Sequence, residues 1–151
     1  MLGSNGAGKT TFISIITNFL KQDQGEVLIN GLSIESKRVK EKISLCPQFD
    51  IQWSILSIYE HLKIFGLLKG LSGQKLEHQI TEILKSVQLI DEKDQTCDTL
   101  SVGMRRRVSL AMSLIGDVTI VFLDEPTTGL DPKKRREFWN LIMSKLTRQQ
   151  I

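Results

Sequence analysis

The sequence is short of cysteine, of net charge and of long apolar runs, and each shortage excludes something. Its two cysteines, Cys46 and Cys97, form no C-x-x-C and no other ligand spacing. That excludes a disulfide scaffold and a cysteine-based metal site. With no signal peptide at the front, they read as reduced thiols of a cytosolic protein. A net charge of +3 is too small to argue for nucleic acid or an anionic membrane as a partner. The basic clusters "MRRRV" and "PKKRREF" read as solvated helix faces. The longest apolar stretches, "FISIITNFL" and "VTIVFL", fall well short of the roughly 20 residues of a membrane-spanning helix. The segment therefore inserts directly into no membrane. Internal repeats and low-complexity linkers are missing as well.

What is present suits one globular domain: 151 residues, 40% of them apolar and 25% charged. Helix and strand patterns alternate, which predicts an α/β fold. "KTTFISIITNFL" reads as a helix with Phe12, Ile15, Ile16 and Phe19 on one face. "EVLINGLSI" reads as two short strands about an Asn30-Gly31 turn, and "KISLCPQ" as a strand ending at a loop. "SIYEHLKIFGLLKG" begins with a Ser57/Glu60 capping box and stops at Gly70. "QKLEHQITEILKSVQL" sets Leu76, Ile80, Ile83 and Val87 at helical spacing. "SVGMRRRVSLAMSLI" is a helix capped by Ser101. "VTIVFLDE" is a strand buried on both faces. "DPKKRREFWNLIMSKL" is a helix with Asp131 as its cap and Pro132 at its first position. His61 and His78 read as exposed helix positions.

Two constellations carry chemistry. "GSNGAGKT", residues 3–10, fits the phosphate-loop pattern G-x-x-x-x-G-K-[ST]. Its glycines let several backbone N–H groups turn toward one anion, and the helix that follows adds its positive end. Lys9 supplies a charge to the β- and γ-phosphates, and the Thr10 hydroxyl can ligate Mg²⁺. The candidate nucleotide-binding residues are Gly3, Ser4, Asn5, Gly6, Ala7, Gly8, Lys9, Thr10 and Thr11. The second constellation is the acidic pair Asp124 and Glu125, which closes the strand "TIVFLDE". A carboxylate in that place helps to hold Mg²⁺ beside a bound nucleotide, and the next acid can polarise an attacking water.

These segments, with "CPQFD", "LSVGMRRRVSLA" and "GLDP", resemble the ABC ATPases in content and order from residue 3 to residue 132. "CPQFDIQWSILSIYEHLKIFGLLKG" is similar to the A subfamily of ABC transporters, whose members move lipids and sterols. The resemblance implies a P-loop NTPase of ABC type. Its mainly parallel sheet is flanked by helices, and a helical subdomain at about 50–115 carries the signature motif. It implies ATP and Mg²⁺ as cofactors, with Mg²⁺ held by Thr10, Gln48 and Asp124. Glu125 becomes the general base, and Gln48 contacts Mg²⁺ and the attacking water. Leu100, Ser101, Val102, Gly103 and Met104 become the signature that grips the nucleotide of a second ABC domain. Gly129, Leu130 and Asp131 form the loop that reaches across that dimer. Its other partners are the transmembrane domains of the same transporter, at the cytoplasmic face of a membrane. The signature departs from the family's usual L-S-G-G, because Val102 stands where Gly is expected.

The resemblance also implies sheet strands before Met1 and a switch histidine beyond Ile151. On that count the chain reads as a domain truncated at both ends, with weak or no activity by itself. Two readings stand beside the transporter domain: an inert regulatory fragment that binds a full-length partner, and a soluble ABC ATPase that is not a transporter.

Overall fold

The computed structural model describes residues 6–49 and 51–149, with side chains as far as Met143. Helix α1 (Lys9–Ile16) follows a glycine-rich turn. Strands β1 (Leu28–Ile29) and β2 (Leu32–Ser33) form a hairpin, pairing Leu28 with Ser33 and Ile29 with Leu32. The turn residues Asn30 and Gly31 both have positive φ, 51° and 76°, as a two-residue hairpin turn with the hand of the strand twist requires. Helix α2 (Lys37–Lys42), capped by the Ser36 hydroxyl, leads directly into β3 (Ile43–Cys46).

Strand β3 pairs in parallel with β4 (Ile120–Leu123), from Ile43 opposite Ile120 to Cys46 opposite Leu123. The ladder continues at both ends, with Thr119 N–H donating to Lys42 O at 2.8 Å and Asp124 N–H donating to Cys46 O at 3.0 Å. A parallel pair needs a crossover between its strands. Here the crossover holds α3 (Ile58–Leu68), α4 (Gly73–Ser86), a short 3₁₀ turn (Cys97–Thr99) and α5 (Val102–Leu114). Ser57 opens α3 with both halves of the capping box: its hydroxyl accepts from Glu60 N–H, and the Glu60 carboxylate accepts from Ser57 N–H at 2.8 Å. The Ser57 N–H, and after it the Ser57 hydroxyl, which also donates to Glu60 Oε2 at 2.9 Å, hold the Glu60 carboxyl below its ordinary pKa.

Leu76, Ile80, Ile83 and Val87 of the α4 stripe are buried against Ile58 and Leu62 of α3 and against Val108, Ala111 and Met112 of α5. A smaller cluster, Ile34, Val39 and Ile43, packs against Ile120 and Phe122 under the two parallel strands. Helix α6 (Pro132–Gln149) returns after the β4 loop and adds Phe138, Leu141 and Ile142 to the larger core.

Four expectations need correction. Helix α1 ends at Ile16, and none of its residues is buried. Asn18 takes the left-handed conformation (φ 60°), and Thr17 N–H closes the last turn on Ile13 O. Phe19 therefore falls outside the helix and is 76% exposed. Strand β4 is half-buried along its length rather than buried on both faces, because it has a strand partner on only one edge among the described residues. The arginines of "MRRRV" are not a solvated face: Arg106 is buried and its two neighbours are half-buried. The reason is that α5 lies between α3, α4 and the β3 strand rather than on the surface. "PKKRREF" is exposed as expected up to Phe138, which is buried. His61 is fully buried, whereas His78 is exposed. His61 shares the α3 face of Ile58 and Leu62, and its two ring nitrogens are both hydrogen-bonded, which makes burial affordable.

Candidate functional site

Gly3, Ser4 and Asn5 lie outside the described residues, as does Asp50 of "CPQFD". The rest of the phosphate loop has the shape its sequence demands. Gly6 and Gly8 sit at φ 82° and 85°, a region costly for any residue with a Cβ. Gly8 is the cap of α1, and no side chain caps that helix. A helix start left open in this way suits an anion.

Gly6, Gly8, Lys9, Thr10 and Thr11 form one wall of a cavity of 290 Å³, and Gln48 and Glu125 form the other. Gln48 arrives two residues after β3 and Glu125 two residues after β4, so the parallel pairing of these strands sets them side by side. Gln48 Nε2 donates to Glu125 Oε2 at 3.1 Å. An adjoining cavity of 740 Å³ shares Thr10 and Gln48, and adds Asp124 and the apolar side chains of Phe19, Leu20, Phe49, Ile51 and Phe65. The two adjacent acids occupy different surroundings: Asp124 is buried and lines the larger cavity that Thr10 also lines, whereas Glu125 is exposed and faces the phosphate-loop cavity.

Glu125 has φ 45°, the left-handed region. For a glutamate this costs on the order of 1–2 kcal/mol, and such strain concentrates at functional sites. The turn that holds it is closed by Thr128 N–H donating to Glu125 O at 3.1 Å. The Thr128 hydroxyl also donates to Glu125 Oε2, at 3.2 Å. Thr128 is a site residue that sequence reasoning missed. Its only signal was its place three residues after Glu125, within reach of a turn.

The donor set fits Mg²⁺. Thr10 Oγ1, Asp124 and Gln48 offer hard oxygens around shared space, and Mg²⁺ is usually held by one or two carboxylates together with substrate phosphates. Among the described residues no cluster of three His, Cys, Asp or Glu could hold a metal without such help.

The Ser101 segment lies elsewhere. The Ser101 hydroxyl caps α5 by accepting from Met104 N–H at 3.3 Å, and Arg105 Nη1 ties back to Leu100 O at 2.6 Å. Val102 is the first residue of α5 and is not among those with positive φ. The valine therefore strains no backbone, and its side chain stands 45% exposed at the helix start. Ser101, Gly103 and Met104 share a 120 Å³ cleft with Leu130, Lys134 and Phe138. Gly129 turns with φ 81°, Leu130 is buried, and Asp131 caps α6 by accepting from Lys134 N–H at 3.0 Å. That N–H is the main reason why the Asp131 carboxyl lies below its ordinary pKa. The structure thus brings the phosphate loop, Gln48, Asp124 and Glu125 together, and Ser101 to Met104 together with the 129–131 loop as a second group.

Comparison with known proteins agrees over nearly the whole chain. The sequence profile of the family described as ABC transporter matches residues 1–128. ABC transporter A family member 12 of Arabidopsis thaliana is 47% identical over 146 residues, which are 94% of this chain and 16% of that protein. Member 10 of the same plant is 44% identical over the same share of each. The chain spans 16% of the length of these relatives. Among solved structures, an ABC transporter ATP-binding protein from Pyrococcus furiosus aligns with a TM-score of 0.82 at 33% identity, covering 97% of this chain and 71% of that one. The cbiO1 protein of Clostridium perfringens, part of the ABC transporter complex cbiONQ, aligns with a TM-score of 0.87 at 28% identity, covering 98% and 61%.

Proposed function

Since the chain belongs to the ABC transporter family, as an ATP-binding domain of A-subfamily type, we propose that it hydrolyses ATP to power lipid transport across a membrane. The observation that carries this reading is the meeting of Thr10, Gln48 and Glu125 around one cavity, with Gln48 and Glu125 hydrogen-bonded at 3.1 Å. In this reading the phosphate loop, residues 3–11, holds the nucleotide. Thr10, Asp124 and Gln48 hold Mg²⁺, which when bound neutralises charge on the phosphates. Glu125 takes the proton of the attacking water. Gln48 and Thr128 both donate to its Oε2, and among the described residues no donor reaches Oε1, which leaves that oxygen for the water.

The partners follow from the surfaces. Leu100 to Met104 and the Gly129–Asp131 loop would face the nucleotide of a second ABC domain, so that ATP closes the pair. Phe49 and Ile55 are 74% and 80% exposed, beside half-exposed Ile51 and Trp53. This apolar stretch of the Gln48 loop supports docking of the transporter's membrane domains. No helix among the described residues is long and apolar enough to cross a membrane, so work at the cytoplasmic face rests on those partners. Residues 50–115 would act as the helical subdomain, and lipid as cargo rests on the A-subfamily likeness.

The test is Glu125→Gln in the complete transporter. Loss of a general base costs about 10²–10⁴ in rate, so ATP turnover should fall by that factor while ATP still binds. Turnover that survives Glu125→Gln would refute the assignment.

A further inference from the structure

We propose that His61 is a positioning residue for Gln48, holding the far end of the Gln48 loop through the backbone of Trp53. The proposal rests on the reading of Gln48 as part of the ATP site.

His61 is fully buried on α3 and lines neither cavity of the site. Its Nδ1 lies 2.7 Å from Ser57 O, which can only accept, so Nδ1 carries the proton. Its Nε2 lies 2.9 Å from Trp53 N, which can only donate, so Nε2 offers its lone pair. The Trp53 ring stacks on the imidazole at 5.6 Å and 22°. The neighbouring Gln52 ties the same stretch to α5, with Nε2 donating to Arg105 O at 2.9 Å and to Ser109 Oγ at 2.6 Å. At its other end the loop leaves β3 at Cys46, whose carbonyl accepts from Asp124 N–H.

The loop is therefore pinned at both ends, to the strand beside Asp124 and to helices α3 and α5. Pro47, with its fixed φ, and Gln48 lie between the pins. Without the His61 acceptor the Trp53 N–H loses its partner, and the far pin keeps the Gln52 bonds, the Leu56 N–H bond to Trp53 O and the ring contact with Phe65. Gln48 is then held less closely to Glu125, while the phosphate loop, on a different segment, keeps its shape. A placement error of 1 Å can cost about a hundredfold in rate.

The test compares wild type, His61→Gln and His61→Leu in the intact transporter. Glutamine can set Oε1 where Nε2 now sits, whereas leucine fills similar volume and accepts nothing. The readouts are the hydrogen-exchange rate of the Trp53 amide and the steady-state ATPase parameters. Leucine should speed Trp53 exchange by about tenfold, the worth of one hydrogen bond, and lower kcat by roughly tenfold or more with KM for ATP little changed. Glutamine should stay close to wild type in both. A packing role alone predicts the reverse order, since a buried leucine is better tolerated than a buried glutamine. That order, or equal Trp53 exchange in all three proteins, overturns the proposal. A wild-type transporter without ATPase activity refutes the functional reading instead, and the exchange rates then decide the role of His61 by themselves.

Discussion

Replacing Gly66 by alanine sets two known effects against each other. Gly66 lies in the interior of α3, where alanine is favoured over glycine by about 1 kcal/mol. A Cβ at that position, however, would stand 2.3 Å from Leu76 Cδ1 and 3.1 Å from Ile115 Cδ1. Comfortable carbon contacts begin near 3.5 Å, so the Leu76 tip must retreat by about 1 Å. It has little space for this: Leu76 is 3% exposed and Ile115 is not exposed at all. Overpacking of this kind costs about 1–3 kcal/mol, which exceeds the helix gain. The expected net loss is about 1 kcal/mol, or a fall in Tm of roughly 2–4 °C for a chain of this size. Equilibrium urea unfolding should show the midpoint falling with m unchanged. The sharper assay is a double-mutant cycle. In a Leu76→Ala background the main obstacle is gone and only the 3.1 Å approach to Ile115 Cδ1 is left, so Gly66→Ala should then be neutral or stabilise by up to about 1 kcal/mol. A Gly66→Ala protein as stable as wild type, or equal effects in the two backgrounds, would refute the claim that α3 and α4 meet through this glycine.

Two further outcomes are expected. Val102→Gly in the complete transporter should raise turnover at the nucleotide site faced by this segment by roughly tenfold and leave the Glu125 site nearly unchanged, because it removes a branched side chain from a helix start that must approach a phosphate. Separate single-turnover measurements of the two sites check this, and no change at either refutes it. Lys69 has its Nζ within reach of the Ser44 hydroxyl at 3.2 Å and beside the larger cavity, and burial pushes its pKa down to about 8. Below pH 8 the lysine is charged whether the chain is folded or not, and the burial cost is present in full. From pH 8 up to its ordinary value of 10.5 the unfolded chain binds more protons than the folded one, so stability rises with pH. Lys69→Met should stabilise the protein at neutral pH and remove that part of the rise, as read from urea midpoints between pH 7 and 10.

Local rules were legible without coordinates because they depend on residues a few positions apart. The Ser57/Glu60 capping box, the Asn30-Gly31 turn, the Ser101 and Asp131 caps and the Leu76–Val87 stripe all stand where their spacing sets them. The phosphate-loop pattern likewise needs only its own glycines, of which Gly6 and Gly8 adopt the positive φ that their type permits. The order of Gln48, Ser101 and Asp124 along the chain could be read too, and with it the family. Burial could not be read in the same way, because it depends on which distant segment arrives. Phe12 and Phe19, spaced as one apolar helix face, both stay exposed, and Phe19 lies outside the helix altogether; Arg106 is basic yet buried because α5 became the central helix of its group. His61 looked like a surface residue, since nothing nearby in sequence reveals that Trp53 N–H folds back onto its ring. The bond between Gln48 and Glu125 joins residues 77 positions apart. It exists only because β3 and β4 pair in parallel and in register, and pairing register is a property of the folded sheet rather than of either strand.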